Sequence, residues 1–257
     1  MTRRVLATVA TLAFLLVACG APAASPLTDP KEILVESVLS LKNVKTIEVN
    51  GAIDGTVSLG EQGSLPLKDT TFTAAVDIQA EKVRFNLDAP SFLGTKIEAV
   101  IVDRVSYLRV LGGLAMFFPG GSGDKFTKTD LGASLPEASA SASPDIQAAI
   151  DEIRAAIDKL PSAPTKQADE RCGDTDCYVV RISLTSDQLE SLGGSTPTGV
   201  EGSVALDVWS RKNDLRPARM TIAVDGGAQG QVSTTLDFRY DGALTIEAPP
   251  ADQVAPG

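Results

Sequence analysis

Three cysteines and no histidine define the side-chain chemistry open to this chain of 257 residues. Cys19 directly follows Leu16-Val17-Ala18, which close an apolar run from Val5 behind Arg3 and Arg4. Basic, then apolar, then small is the order of an export signal. A cysteine placed right after Leu-Val-Ala has the form of a bacterial lipobox. There the thiol takes a diacylglyceryl group and the peptide is cut just before it. An ordinary signal peptide with a chance cysteine is the competing reading. The apolar run falls short of the ~20 residues that span a bilayer. Covalent lipid at Cys19 is therefore the expected anchor, with acyl chains of the palmitate type. Two or more chains, at ~0.8 kcal/mol per buried CH₂, hold a protein stably. The expected location is the cell membrane, lipid-anchored, on its extracytoplasmic face.

Cys172 and Cys177 stand in Arg-Cys-Gly-Asp-Thr-Asp-Cys-Tyr. The Gly173-Asp174-Thr175-Asp176 insert is turn-like and can bring its ends together. Outside the cytoplasm the expectation is a disulfide. A zinc site would need two further ligands, and no histidine or cysteine is left to give them. A redox dithiol more often has the spacing Cys-x-x-Cys.

Without histidine, serine–histidine and cysteine–histidine catalysis are excluded. A glycosidase-like carboxylate pair remains open on composition. Yet the acids that can be placed fall on polar strand faces, turns and helix surfaces, and none clusters with metal-loop spacing. No catalytic residue, metal or cofactor is expected. The net charge of −10 disfavours nucleic acid as a partner, since no basic patch appears. Export would also remove Arg3 and Arg4, leaving the mature chain more acidic still. Anionic headgroups repel such a domain, so the tether must hold it at the membrane.

The elements that would carry these groups read as α+β. Residues 1–18 form the signal peptide and 19–29 a flexible Ala/Pro/Ser stalk. A helix starts with Asp29 as cap and Pro30 in its first turn. Ile33, Leu34, Val38 and Leu41 give it an apolar stripe, and it ends near Asn43. About nine alternating strands follow, mostly joined by hairpins. In the first, Ile47, Val49, Ile53, Val57 and Leu59 share a face. A turn at Glu81-Lys82 would pair Ala80 with Val83, Ile78 with Phe85 and Val76 with Leu87. A turn at Asp103-Arg104 would put Ile97, Ala99, Ile101, Ser106, Leu108 and Val110 on one face. The other face would carry Glu98, Val100, Val102, Val105, Tyr107 and Arg109, with Glu98 opposite Arg109. Both faces of this hairpin are mostly apolar, so both need cover. A helix can cover one.

Residues 111–165 interrupt the sheet. Leu111 to Gly121 is apolar but glycine-rich. Met116, Phe117 and Phe118 either plug the core or form an apolar lip at a cavity mouth. Residues 137–143 read as an Ala/Ser linker. A second helix follows, capped by Ser143 with Pro144 in its first turn. Ile146, Ala149, Ile150, Ile153, Ile157 and Leu160 are its expected buried stripe. Strands resume at Tyr178, Ser186 to Leu192 forms a short helix, and Val232 to Tyr240 is the last clear strand.

This order resembles the LppX/LprG lipoprotein family of mycobacteria and other actinobacteria, whose fold is related to the LolA and LolB carriers. The matching segments are Lys96 to Val110, Cys177 to Leu192 and Val204 to Thr221. The first contains Ala-Val-Ile-Val-Asp-Arg-Val-Ser-Tyr-Leu. The last contains Asp207-Val208-Trp209 and Asp214-Leu215-Arg216-Pro217. Two features depart from the family. Its turn is often Asp-Gly where this chain has Asp103-Arg104, and the Cys172–Cys177 pair is not one associated with mycobacterial members.

The resemblance implies a curved antiparallel half-barrel packed over helices around an apolar cavity. It would be a single lipid-binding domain over 30–248, with a C-terminal tail at 249–257. It implies a non-enzymatic carrier of acylated lipid or lipoglycan, with a membrane transporter as a partner by analogy. Candidate lining residues are Ile97, Ala99, Ile101, Leu108 and Val110, then Val76, Ile78, Phe85 and Leu87. The rival readings are an envelope interaction module with a solid core and an enzyme working without histidine.

Overall fold

The computed structural model describes residues 26–58, 60–117, 124–131, 146–191 and 202–256. The expected signal segment, Cys19, most of the expected stalk, the expected 137–143 linker and the expected Ser143-Pro144 cap lie outside them. Among the described residues no helix is long and apolar enough to cross a membrane.

Helix α1 (Pro30–Leu39) begins as expected: the Asp29 carboxylate accepts from the Lys31 N–H at 2.8 Å. It tightens into a 3₁₀ turn over Ser40–Asn43. The first sheet half contains β1 (Thr46–Ser58), β2 (Ser64–Pro66), β3 (Thr70–Asp77) and β4 (Lys82–Ala89). It continues with β5 (Thr95–Val102), β6 (Val105–Leu111) and β7 (Thr127–Asp130). Helix α2 (Ile146–Asp158) separates this half from β8 (Thr165–Lys166), β9 (Glu170–Cys172) and β10 (Thr175–Thr185). The short helix α3 (Ser186–Ser191) precedes β11 (Ser203–Arg211), β12 (Pro217–Asp225) and β13 (Gly230–Tyr240).

All thirteen strands join one curved, open antiparallel sheet in the order β7-β6-β5-β4-β3-β1-β13-β12-β11-β10-β8. β2 pairs with β1, and β9 with β10, off that path. The expected nine strands are thus exceeded by short pieces with too few residues to show alternation.

The two meanders meet where β1 pairs with β13, from Ile47 opposite Tyr240 to Val57 opposite Gly230. Two glycines permit this approach. Gly55 (φ +126°) and Gly230 (φ +104°) lie so close to the facing backbone that a Cβ would strike the Gln231 and Thr56 carbonyl oxygens.

Helix α1 packs on one face of β10 and β11, and α2 packs on α1, adding Ile157 to the same cluster. Ile33, Leu34 and Ile157 are buried there with Tyr178, Val180, Ile182, Leu184 and Val208. A buried hydroxyl pair locks α1 down. Ser37 Oγ donates to the Leu215 carbonyl at 2.6 Å and so must accept from Ser210. The expected stripe of α2 is only partly realised: Ile150 and Ile157 are buried, but Ile153 is 47% exposed. The chain after β13 covers the opposite face of the first half-sheet, where Leu244 and Ile246 pack on Ala75, Val100, Val102 and Tyr107. Residues 249–256 run on to Phe126, whose N–H donates to Gln253 O at 2.8 Å.

Candidate functional site: a half-covered apolar sheet face

Side chains at paired positions of neighbouring strands lie on the same face. The registers therefore trace rows across the sheet. One row runs Val180, Val208, Met220, Leu236, Gly51, Phe72, Leu87, Ile97, Val110. It starts in the core beneath the helices and ends at the predicted hairpin. A second row carries Phe238, Val49, Ala74, Phe85, Ala99 and Leu108, and a third Tyr240, Ile47, Val76, Val83, Ile101 and Ser106. All three lie on the helix-bearing face.

Cover on that face is uneven. At the helix end, Ile33 and Val180 are fully buried. Across β1 and β3–β6, Ile47, Val49, Val76, Phe85, Leu87, Ile97, Ala99, Ile101 and Leu108 are only half-buried. Val110 is the exception at 2% exposure. Fully burying such a side chain yields ~1.5–3 kcal/mol relative to exposure. Much of that free energy is unrealised along these rows. Phe72 lies across Gly51, within 2.2 Å of where a Cβ would stand, and its ring centroid is 6.0 Å from that of Phe85.

The predicted candidates are thereby placed. Ile97, Ala99, Ile101, Leu108, Val110, Val76, Phe85 and Leu87 share one face. The turn at Asp103-Arg104 forms with both residues at positive φ, and its register matches the expected one. Arg109 Nε donates to Glu98 Oε2 at 2.9 Å on the far face. Ile78 is a correction. It lies in the turn beyond β3, its N–H donating to Lys45 O at 2.9 Å. Val76 pairs with Val83, and Phe85 with Ala74. The turn spans Ile78 to Glu81, so the register slips by an even number of residues. An even slip leaves every other side chain on its expected face. Met116, in the 3₁₀ turn Gly113–Phe117, is 76% exposed. The Phe117 side chain and Phe118 lie outside the described residues. Sequence reasoning did not single out Phe72, Met220 or Leu236 as part of these rows. Strand alternation gave their parity, but not which strands adjoin.

The polar groups make a different kind of surface. A cleft of about 800 Å³ beside the disulfide loop is lined by Arg211, Asn213, Arg219, Asp237 and Arg239. A smaller one of about 470 Å³ lies by Asp54, Ala205, Ala223 and Ser233. Neither contains a predicted lining residue. The disulfide Cys172–Cys177 is formed, with Cα atoms 6.0 Å apart, inside the usual range. Next to it, Asp169 takes Lys166 and Lys212 at 2.6 Å each, both set over the Tyr178 ring. Burial pulls the Asp169 carboxyl upward, but the two lysines outweigh it and hold it below the usual carboxylate range. Burial pushes the Tyr240 hydroxyl far above its ordinary value, against the opposing pull of Arg211 and Arg216. Among the described residues no group of three or more His, Cys, Asp or Glu could hold a metal.

No family model matches the sequence, and no curated protein is similar to it in sequence. Solved structures are similar in shape. Lipoprotein LppX of Mycobacterium tuberculosis superposes with a TM-score of 0.50 at 10% identity, covering 85% of this chain and 98% of its own. LprF of Mycobacterium bovis gives 0.49 at 17% identity, covering 86% and 96%. A LolA superfamily protein of Nitrosomonas europaea gives 0.24 at 14% identity. The chain has the open, curved sheet fold of LppX, in agreement with the resemblance read from its sequence.

Proposed function

We propose that this protein is a membrane-tethered carrier of acylated lipid, anchored through Cys19 on the extracytoplasmic face. The observation that carries this reading is the half-buried apolar face running from the helix-packed core to β6. Its rows are long enough to lay an acyl chain along successive strands. An acyl chain in a bilayer is already out of water. Moving it onto a dry protein face costs little net free energy, whereas crossing water costs ~0.8 kcal/mol per exposed CH₂. No proton transfer or bond cleavage is required, which suits a chain with no histidine. A transporter that hands lipid to the carrier fits the same role, by analogy with other carriers.

Bulk on the face should compete with ligand. Ala99→Trp and Leu108→Trp fill neighbouring positions of one row. Each is expected to weaken uptake of a fluorescent fatty acyl phospholipid about tenfold or more, with the fold intact by circular dichroism. Trp at Ala223, half a sheet away on the opposite face, should leave uptake unchanged. Equal uptake by all three folded variants would refute the assignment of this face. A solid-core interaction module would show no uptake even in the wild type.

A further inference from the structure

Two loops at the far end of the first half-sheet form an apolar knuckle. The β4–β5 loop, Pro90 to Gly94, and the turn after β6, Gly112 to Phe117, interlock through their backbones. Gly113 N–H donates to Leu93 O at 3.0 Å. Gly112 (φ +82°) sits so close to Gly94 that a Cβ would lie 2.3 Å from its carbonyl oxygen. Thr95 Oγ1 fastens the base by donating to Phe92 O at 2.6 Å. This rigid joint holds out Leu93, 65% exposed, and Met116, 76% exposed.

Three features argue against chance exposure. Leu93 adopts φ +56°, a left-handed conformation disfavoured for a branched side chain and better suited to glycine or asparagine. Strain that serves to display an apolar group is a mark of function. Neither Ala89–Thr95 nor Leu111–Phe117 contains a charged residue, in a chain of net charge −10. The nearest strand charges, Lys96 and Asp88, neutralise each other at 3.0 Å. Finally, the loops spring from strand ends that carry Leu87, Ile97 and Val110, so the knuckle continues the last positions of the apolar row.

We infer that Leu93 and Met116 form a membrane-docking tip that inserts into a phospholipid bilayer and sets the end of the apolar face against it. The inference rests on the carrier reading and adds where lipid enters. An uncharged tip removes the local repulsion that an acidic surface meets at anionic headgroups. Insertion supplies the second, reversible membrane contact that orients a tethered domain. A chain leaving the bilayer would then pass the Leu93–Met116 edge onto Val110 and Ile97 without crossing water.

The test is a depth measurement on the full lipidated protein in vesicles of phosphatidylcholine and phosphatidylglycerol. Leu93→Cys, Met116→Cys and Val224→Cys each receive an environment-sensitive fluorophore. Val224, 41% exposed on β12, is the control. The labels at 93 and 116 are expected to shift blue and to be quenched by spin-labelled acyl chains, and the label at 224 to do neither. Leu93→Gly, which suits the left-handed backbone, should keep or raise thermal stability while lowering quenching at position 116 several-fold. Labels at 93 and 116 that remain as wet as at 224 would overturn the inference. So would a blue shift that appears without vesicles and grows with protein concentration, which would assign the tip to contact between two copies. Neither result depends on whether lipid is carried, so docking and carriage fail separately.

Discussion

Asp169 shows how single side chains tie the disulfide loop to the sheet. Its carboxylate joins Lys166 at the end of β8 to Lys212 just after β11, above the ring of Tyr178, whose hydroxyl accepts from the Leu27 N–H at 3.1 Å. The folded state favours its ionised form and holds its pKa below the ordinary value of 3.8. A depressed carboxylate contributes stability that is present above its unfolded pKa and is lost as pH falls through the folded one. The group is partly exposed, so screening limits the contribution to about 0–1 kcal/mol. Asp169→Asn is therefore expected to lower stability slightly near pH 7. Its deficit should vanish once the pH lies below the folded pKa, beneath 3.8. Urea melts across that range check it, and a deficit independent of pH would show that the ion pairs contribute nothing.

Elements explain what could and could not be read in advance. The seam between β1 and β13 relies on Gly55 and Gly230, which admit the facing backbone. In Gly230→Ala, a Cβ would lie 2.0 Å from the Thr56 carbonyl oxygen, a clash with rigid backbone. Destabilisation of about 3 kcal/mol or more is expected. Gly173→Ala, at φ +66° with nothing within 4 Å, should lose only about 1–2 kcal/mol of left-handed strain. Chemical denaturation of the two variants compares them directly, and equal losses would mean the seam relaxes.

The β5–β6 hairpin was legible because a two-residue turn allows one register, and Glu98 and Arg109 confirm it across the strands. The β3–β4 turn was not, because alternation fixes the face of a residue but not the length of the loop. Ile78 alternates correctly yet belongs to the turn. The cover on Val100 and Val102 was demanded by two apolar faces. Its source, Leu244 and Ile246, was hidden in an irregular segment with no periodicity. Ile153 fits the helical stripe of α2 but stays 47% exposed. Periodicity states what a residue offers, and the partner decides whether it is buried.

At the scale of the whole molecule, the two half-sheets are covered on opposite faces. Helices close the second half from one side, and the C-terminal segment closes the first half from the other. This leaves the helix-side face of β1 and β3–β6 half-buried and continuous with a dry core. It is an arrangement suited to a removable apolar occupant rather than a fixed one. The apolar candidates came from sequence as one face of two hairpins. Their connection into rows across the sheet came only with the β1–β13 pairing, a contact between residues far apart in sequence.

The most direct measurement is native mass spectrometry, with organic extraction, of the mature domain expressed without Cys19 in a lipid-containing bacterial host. A lipid carrier should show a bound mass that extracts as an acylated lipid and is displaced by added phospholipid. A folded protein with a clean unliganded mass, which also takes up no lipid when offered it, would rule out lipid carriage and leave a protein whose apolar face serves another partner.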